Sequence, residues 1–246
     1  MKISFVIPAY NEEDYIRPCL ESVMGALATG AYEAEVIVVN NASTDRTREL
    51  ALCVQGVTVV DEDRKGIVWA RQAGFLASTG DLIANLDADT RLPPGWIDTV
   101  LREFERNDKL AALTGPQVHY DMSLSGRAIV MTFYAMGYLT NLVVQHVLHA
   151  GAMVQGGNFV LRRSILEAMN GFDTTIDFYG EDSDVGRRAS RFGRVKWTFR
   201  LPIYSSARRL DGEGMVRVGM RYAVNHFWVT FRGKPLTTTS TDVRPK

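Results

Sequence analysis

Leu82-Ile83-Ala84-Asn85-Leu86-Asp87-Ala88-Asp89 is the stretch on which the reading of this chain turns. Its first five residues are uncharged and mostly apolar, as in a buried strand. Its last three set two carboxylates at the carboxyl end of that strand. Residues i and i+2 of an extended chain project to the same side, so Asp87 and Asp89 are expected to face one hard cation together. Two carboxylates and water leave Mg2+ or Mn2+ open positions for substrate phosphate oxygens, and an ion so held acts as a Lewis acid on a diphosphate leaving group. A bare Asp-x-Asp also suits a solvated acidic turn. Its place at a strand's carboxyl end favours function, because ligands on open parallel sheets bind there.

The surrounding sequence supplies such a sheet. Residues 3–8 form an apolar run ended by Pro8, and 35–39 are almost wholly apolar and β-branched, like a strand buried on both faces. A third strand is expected at 57–60 and the fourth at 81–86. Between them, helical spacing covers 12–27, a polar helix follows Ser43, Thr44 and Asp45 to about residue 54, and another spans 67–78. Pro93-Pro94 opens a helix that ends near Asn107. Four strand–helix units imply right-handed crossovers and a mostly parallel α/β sheet. The second half is less regular, with strands expected at 111–118, 159–161 and 194–199 and helices at 181–192 and 214–231. The Thr-rich tail after Pro235 is expected to be loose.

Composition agrees with a folded globular chain. The 246 residues are 46% hydrophobic and 23% charged, with a mean hydropathy of −0.07, which excludes disordered, collagen-like and disulfide-scaffold classes. Cys19 and Cys53 lack the spacing of a structural zinc site, and the N-terminus is broken by proline too early for a signal peptide. The cytoplasm is therefore the expected location. The net charge of zero hides an asymmetry: from Arg187 onward fourteen Lys/Arg face three Asp/Glu, leaving the front of the chain acidic. That division suits a cation handled by one part and an anion met by the other. No nucleic-acid-binding module is present, so nucleic acid is not an expected partner.

Three further segments carry chemistry. Ile7-Pro8-Ala9-Tyr10-Asn11-Glu12-Glu13 and Val39-Asn40-Asn41-Ala42-Ser43-Thr44-Asp45 are both strand-to-helix turns at the ligand edge. The amides of the second can bond a base or ribose, or simply cap a helix. Gly180-Glu181-Asp182-Ser183-Asp184 places carboxylates in the first turn of a helix, where free amides keep them ionised. Asp182 there can serve as a general base or as ordinary helix capping.

Taken in order, IPAYNEE, VNNASTD, the Lys65-Gly66-x-x-x-Ala70-Arg71 segment, DAD, GGN and GEDSD resemble the family 2 glycosyltransferases with the GT-A nucleotide-sugar fold. The resemblance covers roughly residues 1–210. It implies that Pro8, Ala9, Tyr10 and Glu12 line a nucleobase and ribose pocket beside Asn40 or Asn41, with Lys65 on the same donor side. It implies Arg71 near the diphosphate, Asp87 with Ala88 at ribose or metal, and Asp89 on a divalent metal, Mg2+ or Mn2+. Gly156-Gly157-Asn158 would form the loop under donor sugar and acceptor, and Asp182, with Glu181 beside it, would be the catalytic base of an inverting transfer. Two departures stand out. Asn40 and Asn41 occupy positions that are acidic in many relatives. The stretch Ile203-Tyr204-Ser205-Ser206-Ala207-Arg208-Arg209 lacks the metal-ligand histidine of many GT-A enzymes, so Arg208 and Arg209 are candidates to meet the diphosphate instead. His226 reads as an ordinary helix residue.

The division expected is a GT-A domain over 1–210, with a nucleotide-binding half at 1–110 and an acceptor half at 111–210, followed by a basic amphipathic helix and tail at 211–246. Residues 128–161 carry no charge. Interrupted by Thr132, Gly137, Thr140, Asn141 and Gln145, the 128–144 segment reads as a core, dimer or interfacial helix rather than a span. The expected partners are a nucleoside-diphosphate sugar donor and an acceptor that is a sugar, a lipid-linked group or a small molecule. A second copy of the chain and the inner face of a membrane are further candidates. The rival readings are a sugar-nucleotide nucleotidyltransferase, which would want a glycine-rich basic loop after the first strand, and a catalytically silent nucleotide-sugar-binding protein.

Overall fold

A computed structural model describes residues 1–176 and 178–237. The expected looseness of the tail falls mostly on residues outside that set. Strands β1 (Ile3–Ala9), β2 (Ala34–Asn40), β3 (Val57–Asp61) and β4 (Leu82–Leu86) alternate with helices α1 (Ile16–Leu27), α2 (Thr47–Leu52) and α3 (Ile67–Ala77). The four strands are parallel to one another, in keeping with their apolar runs. Strand β1 shows how one sequence serves two layers. Ile3, Phe5, Ile7 and Ala9 face a core built with α1 and α4 (Trp96–Arg106), and Val6 faces a second core built with α3. Burial on both faces is the condition for a parallel sheet to be stable.

The sheet continues through β8 (Asn158–Arg162), β6 (Leu110–Thr114) and β9 (Arg194–Trp197), giving the order β3-β2-β1-β4-β8-β6-β9. Strand β8 is the one that runs against its neighbours, and Asn158 at its start pairs with Leu86 at the end of β4. This reversal carries the Gly156-Gly157 loop to the carboxyl edge of the parallel strands, next to Asp87.

Three expectations are corrected. Asp87-Ala88-Asp89 is a turn, closed by Thr90 N–H donating to the Asp87 carbonyl at 3.1 Å, and not extended chain. The two carboxylates therefore do not share a side through strand alternation. The strand expected at 111–118 is two: β6 stays in the large sheet, and β7 (Gln117–His119) leaves it after Gly115-Pro116. With β5 (Thr90–Arg91) and β10 (Ile203–Ser205), β7 forms a small second sheet. Pairing of Ser205 with Thr90 brings the chain just before Arg208 onto Asp89. The third correction concerns the core-helix reading of the uncharged segment, and leaves its dimer and interfacial readings standing. It forms α5 (Leu124–His146), a surface helix that buries only Gly126, Val130, Asn141 and Val144. Short helices α6 (Arg163–Ala168) and α8 (Arg208–Glu213) had no clear periodic signal. Helix α7 (Glu181–Ala189) packs against α9 (Met215–Arg232) closely enough that a Cβ on Gly180 would press on Val229.

Candidate active site

The site lies where the parallel strands end, and two arginines organise its acids. Arg71, on α3 and 1% exposed, pairs with Asp87 at 3.3 Å and, through its other terminal nitrogen, with Glu181. Burial opposes the charge on Arg71, but Glu181 and Asp87 hold it protonated. Burial pushes Glu181 up to about 7, against the pull of Arg71. Arg71 thus ties the acidic turn after β4 to the start of α7. The second arginine, Arg208, bonds Glu12 at 2.6 Å and Asp89 at 3.1 Å and lies over the ring of Tyr15. Burial pushes Asp89 up to about 7, with Arg208 pulling it down and Asp87 adding to the rise.

Between these clusters runs the glycine loop. Gly157 has φ +73°, and a Cβ there would collide with the Asp87 carboxylate. A Cβ on Gly156 would stand 3.5 Å from Glu181 and 3.6 Å from Asp182. The loop therefore passes in contact with both carboxylate groups that the resemblance makes functional. Asp182 accepts from Ser183 N–H at 2.7 Å in the first turn of α7. Burial nevertheless raises its pKa above the ordinary aspartate range. Glycine at 180, with φ +85°, lets α7 start this close to α9.

Several nominated residues are brought together, and others are spent on structure. Pro8 and Ala9 end β1 at this edge, Tyr10 and Glu12 follow in the turn after it, and Lys65 reaches Tyr10, its Nζ 2.5 Å from the hydroxyl and over the ring. Asn41 donates to the Glu62 and Arg64 carbonyls and accepts from Gly66 N–H, so its amide holds the loop before α3 instead of facing a base. Asn40 donates to Asp61 at 2.8 Å. Ala88 is buried in the core. Asn158 is fully buried. It accepts from Trp96 Nε1 and donates to the Gly115 and Leu201 carbonyls, locking the turn between β6 and β7. Arg209 turns away from Arg208, pairing with Glu213 at 3.2 Å over Phe178.

Asn158→Leu is accordingly expected to cost at least about 2 kcal/mol, because each unpaired buried polar group costs about 1–3 kcal/mol. Nucleotide affinity should be unaffected. Chemical denaturation alongside calorimetric titration checks this, and lost affinity in a variant of undiminished stability would refute it.

His226, which the sequence reads as an ordinary helix residue, is a neighbour of the site. It is buried on the inner face of α9, its Nδ1 lies 3.0 Å from Ser183 Oγ, and it is close enough to Asp182 for their charges to interact. The available signal was the spacing of Val218, Asn225, His226 and Val229 on one helical face, which marks inward residues without saying what they meet. His119 is likewise structural, bonding the Ser206 carbonyl while Asp121 accepts from Ser206 Oγ and Ala207 N–H. Together they secure the chain leading to Arg208.

The family described as "Glycosyl transferase family 2" matches residues 4–169. The chain is similar to a hyaluronan synthase of Pasteurella multocida, 28% identical over 233 residues that make up 92% of this chain and 22% of that protein. It is also similar to a glucosyl-dolichyl phosphate glucuronosyltransferase of Haloferax volcanii, 23% identical over 94% of this chain and 74% of that one. A chondroitin synthase of Pasteurella multocida is 31% identical over 58% of the chain. The chain spans 22% and 15% of the lengths of the two Pasteurella synthases. Among solved structures, a mannosyltransferase from Pyrobaculum calidifontis in complex with GDP-Man and Mn2+ superposes with a TM-score of 0.69 at 20% identity, covering 94% of this chain and 64% of that one. Glucosyl-3-phosphoglycerate synthase from Mycobacterium tuberculosis, with Mg2+ and UDP, gives a TM-score of 0.63 at 20% identity, covering 95% and 80%. These two establish a shared fold.

Proposed function

Since the chain belongs to glycosyl transferase family 2, we propose that it transfers a sugar, with inversion, from a nucleoside-diphosphate sugar to an acceptor hydroxyl, Asp182 being the base. The observation that carries this reading is the Gly156-Gly157 loop, which touches Asp87 on one side and Glu181 and Asp182 on the other. A donor whose diphosphate lies at Asp87 and Asp89 would have its sugar at that loop, within reach of Asp182. In the transfer, the acceptor oxygen forms its bond to the anomeric carbon as the bond from that carbon to the diphosphate oxygen breaks. The acceptor proton passes to a carboxylate oxygen of Asp182. A raised pKa suits this role, since a base whose pKa lies nearer the working pH accepts a proton more readily in the transition state.

The donor set fits a divalent cation. Asp89 and Glu12 already hold a positive guanidinium, that of Arg208, and Asp87 stands partly open beside them. Asp87 and Asp89 would hold the ion, and no closed set of three His, Cys, Asp or Glu ligands is assembled among the described residues. Bound there, Mg2+ or Mn2+ would supply Lewis-acid stabilisation of the leaving diphosphate. Arg208 must share Asp89 with that ion, and released from the carboxylate it is positioned to bind a diphosphate oxygen as a fixed cation. Arg71 keeps Asp87 and Glu181 in place, and Tyr10 with Lys65 forms the wall of the nucleoside side.

A thermal-shift panel of UDP, GDP, dTDP and CDP, each with and without Mn2+ or Mg2+, tests the donor assignment. One diphosphate is expected to stabilise the protein in a metal-dependent way, by about 2.7 kcal/mol at a hundredfold excess over its Kd. Asp89→Ala should remove the metal dependence. Absence of any shift across the panel would leave no working donor site and overturn the proposal.

A further inference from the structure

Helices α5 and α9 share a property that their roles in the fold do not require: their outward faces are apolar. On α9, Met220, Val224, Phe227 and Phe231 recur at intervals of three and four, and each is between 45% and 61% exposed. The opposite side of the same helix, with Val218, His226 and Val229, is buried. On α5, Ile129, Phe133, Met136, Leu139 and Val143 are exposed, 62% in the case of Leu139. The two faces meet, since a Cβ on Gly219 of α9 would lie 3.9 Å from the Phe133 ring. A contiguous apolar surface spread over two helices is more than scattered surface residues account for.

Charge says what covers it. No acidic residue occurs from Met215 to Lys234, whereas Arg217, Arg232 and Lys234 are exposed along the α9 side of the patch, and Trp228 lies beneath Arg232. Nor does α5 carry any charged residue beyond Arg127. An apolar face fringed with arginine, lysine and tryptophan matches the interface of a bilayer bearing negative headgroups. A second copy of the chain would set the same positive fringe near itself in a twofold contact, which is unfavourable. Insertion of α5 across a bilayer, for which it is long and apolar enough, would break its anchors. These are Asn141 accepting from Met153 N–H, Gln145 donating to the Val195 carbonyl, and Tyr138 packed on Trp197 and Phe199.

We propose that the outer faces of α5 and α9 form a docking surface by which the protein lies on an anionic lipid bilayer. Helix α9 then has the membrane on one side and α7, the helix of Asp182, on the other.

The test is flotation of the full chain with vesicles of phosphatidylglycerol mixed with phosphatidylcholine, and with phosphatidylcholine alone. Binding is expected to the anionic vesicles and to fall as salt is raised. Phe227→Glu/Phe231→Glu should weaken it at least about tenfold, and Arg217→Gln/Arg232→Gln by roughly as much. All four side chains are exposed, so unchanged melting temperatures should confirm that the variants fold. Trp228 provides a second reading: anionic vesicles should shift its fluorescence to the blue, and Trp228→Phe should lose that shift. No flotation, flotation indifferent to both double variants, or a stable dimer by light scattering without vesicle binding would each overturn the proposal. Nucleotide binding measured on the same samples keeps this result separate from that of the donor site.

Discussion

Asp182→Asn is expected to lower kcat for sugar transfer by about 10²–10⁴, the range that a positioned proton acceptor supplies, and to leave nucleoside-diphosphate affinity unchanged. The substitution is nearly isosteric. It preserves an oxygen to accept from Ser183 N–H, and it removes only the ability to take the acceptor proton. The same experiment separates an enzyme from a silent nucleotide-sugar-binding protein, whose measurable properties the substitution would not alter. A pH profile gives the sign of the effect. Asp182 must be ionised to act, so kcat/KM of the wild type should rise with pH through the pKa of this group. Burial places that pKa above the ordinary aspartate value of about 3.9, and the acid limb should lie above it too. The residual activity of Asp182→Asn should lack this limb. A variant retaining a tenth or more of the wild-type kcat would rule Asp182 out as the base.

Arg71→Met is expected to destabilise the fold by about 3–5 kcal/mol, the cost of removing one partner from a buried ion pair. Arg71 is almost entirely buried and is shared by Asp87 and Glu181, so its loss strands the buried Glu181 and takes from the partly open Asp87 its ion-pair partner. Glu181 is pushed up to about 7 even with the arginine present, well above the 4.3 or so of an unfolded chain. Without Arg71 it should rise further. A carboxyl whose folded pKa is raised favours the folded state in its protonated form, and that advantage is lost as pH rises through the folded pKa. The deficit of Arg71→Met should therefore be larger at pH 8 than at pH 5.5. Arg71→Met/Glu181→Gln should recover part of it, because the amide needs no counter-charge. Urea unfolding of the three proteins at both pH values decides the matter, and a single variant as stable as wild type would show that Arg71 does not neutralise the buried Glu181.

The parallel half of the molecule was legible in the chain because its signals are local. Runs such as residues 35–39, apolar on successive positions, are stable only between two covering layers, and the turns after Pro8, Asn40 and Leu86 follow from where those runs stop. The acidic turn, the helix-start carboxylates at 181 and 182 and the pair of glycines could be nominated for the same reason. Their roles as ligand or spacer could not. Asn158 and Asn41 look alike in sequence as polar residues at strand ends, yet the fold encloses both and uses their amides to tie loops. Arg208 lies 119 residues beyond Asp89 and reaches it only because β10 pairs with β5, a contact between short segments with no periodicity of their own. His226 meets Ser183 through the packing of two helices, and periodicity marks only which side of each is inward. The same holds for α5. Its sequence is that of a core helix or a bilayer helix, and which side faces outward was decided by the aromatic cluster on β9 that claims Tyr134 and Tyr138, leaving the other apolar face to the solvent side. Local hydrophobic pattern and backbone chemistry determine which elements form, whereas the neutralisation of buried charge is settled between residues that only the tertiary fold makes neighbours.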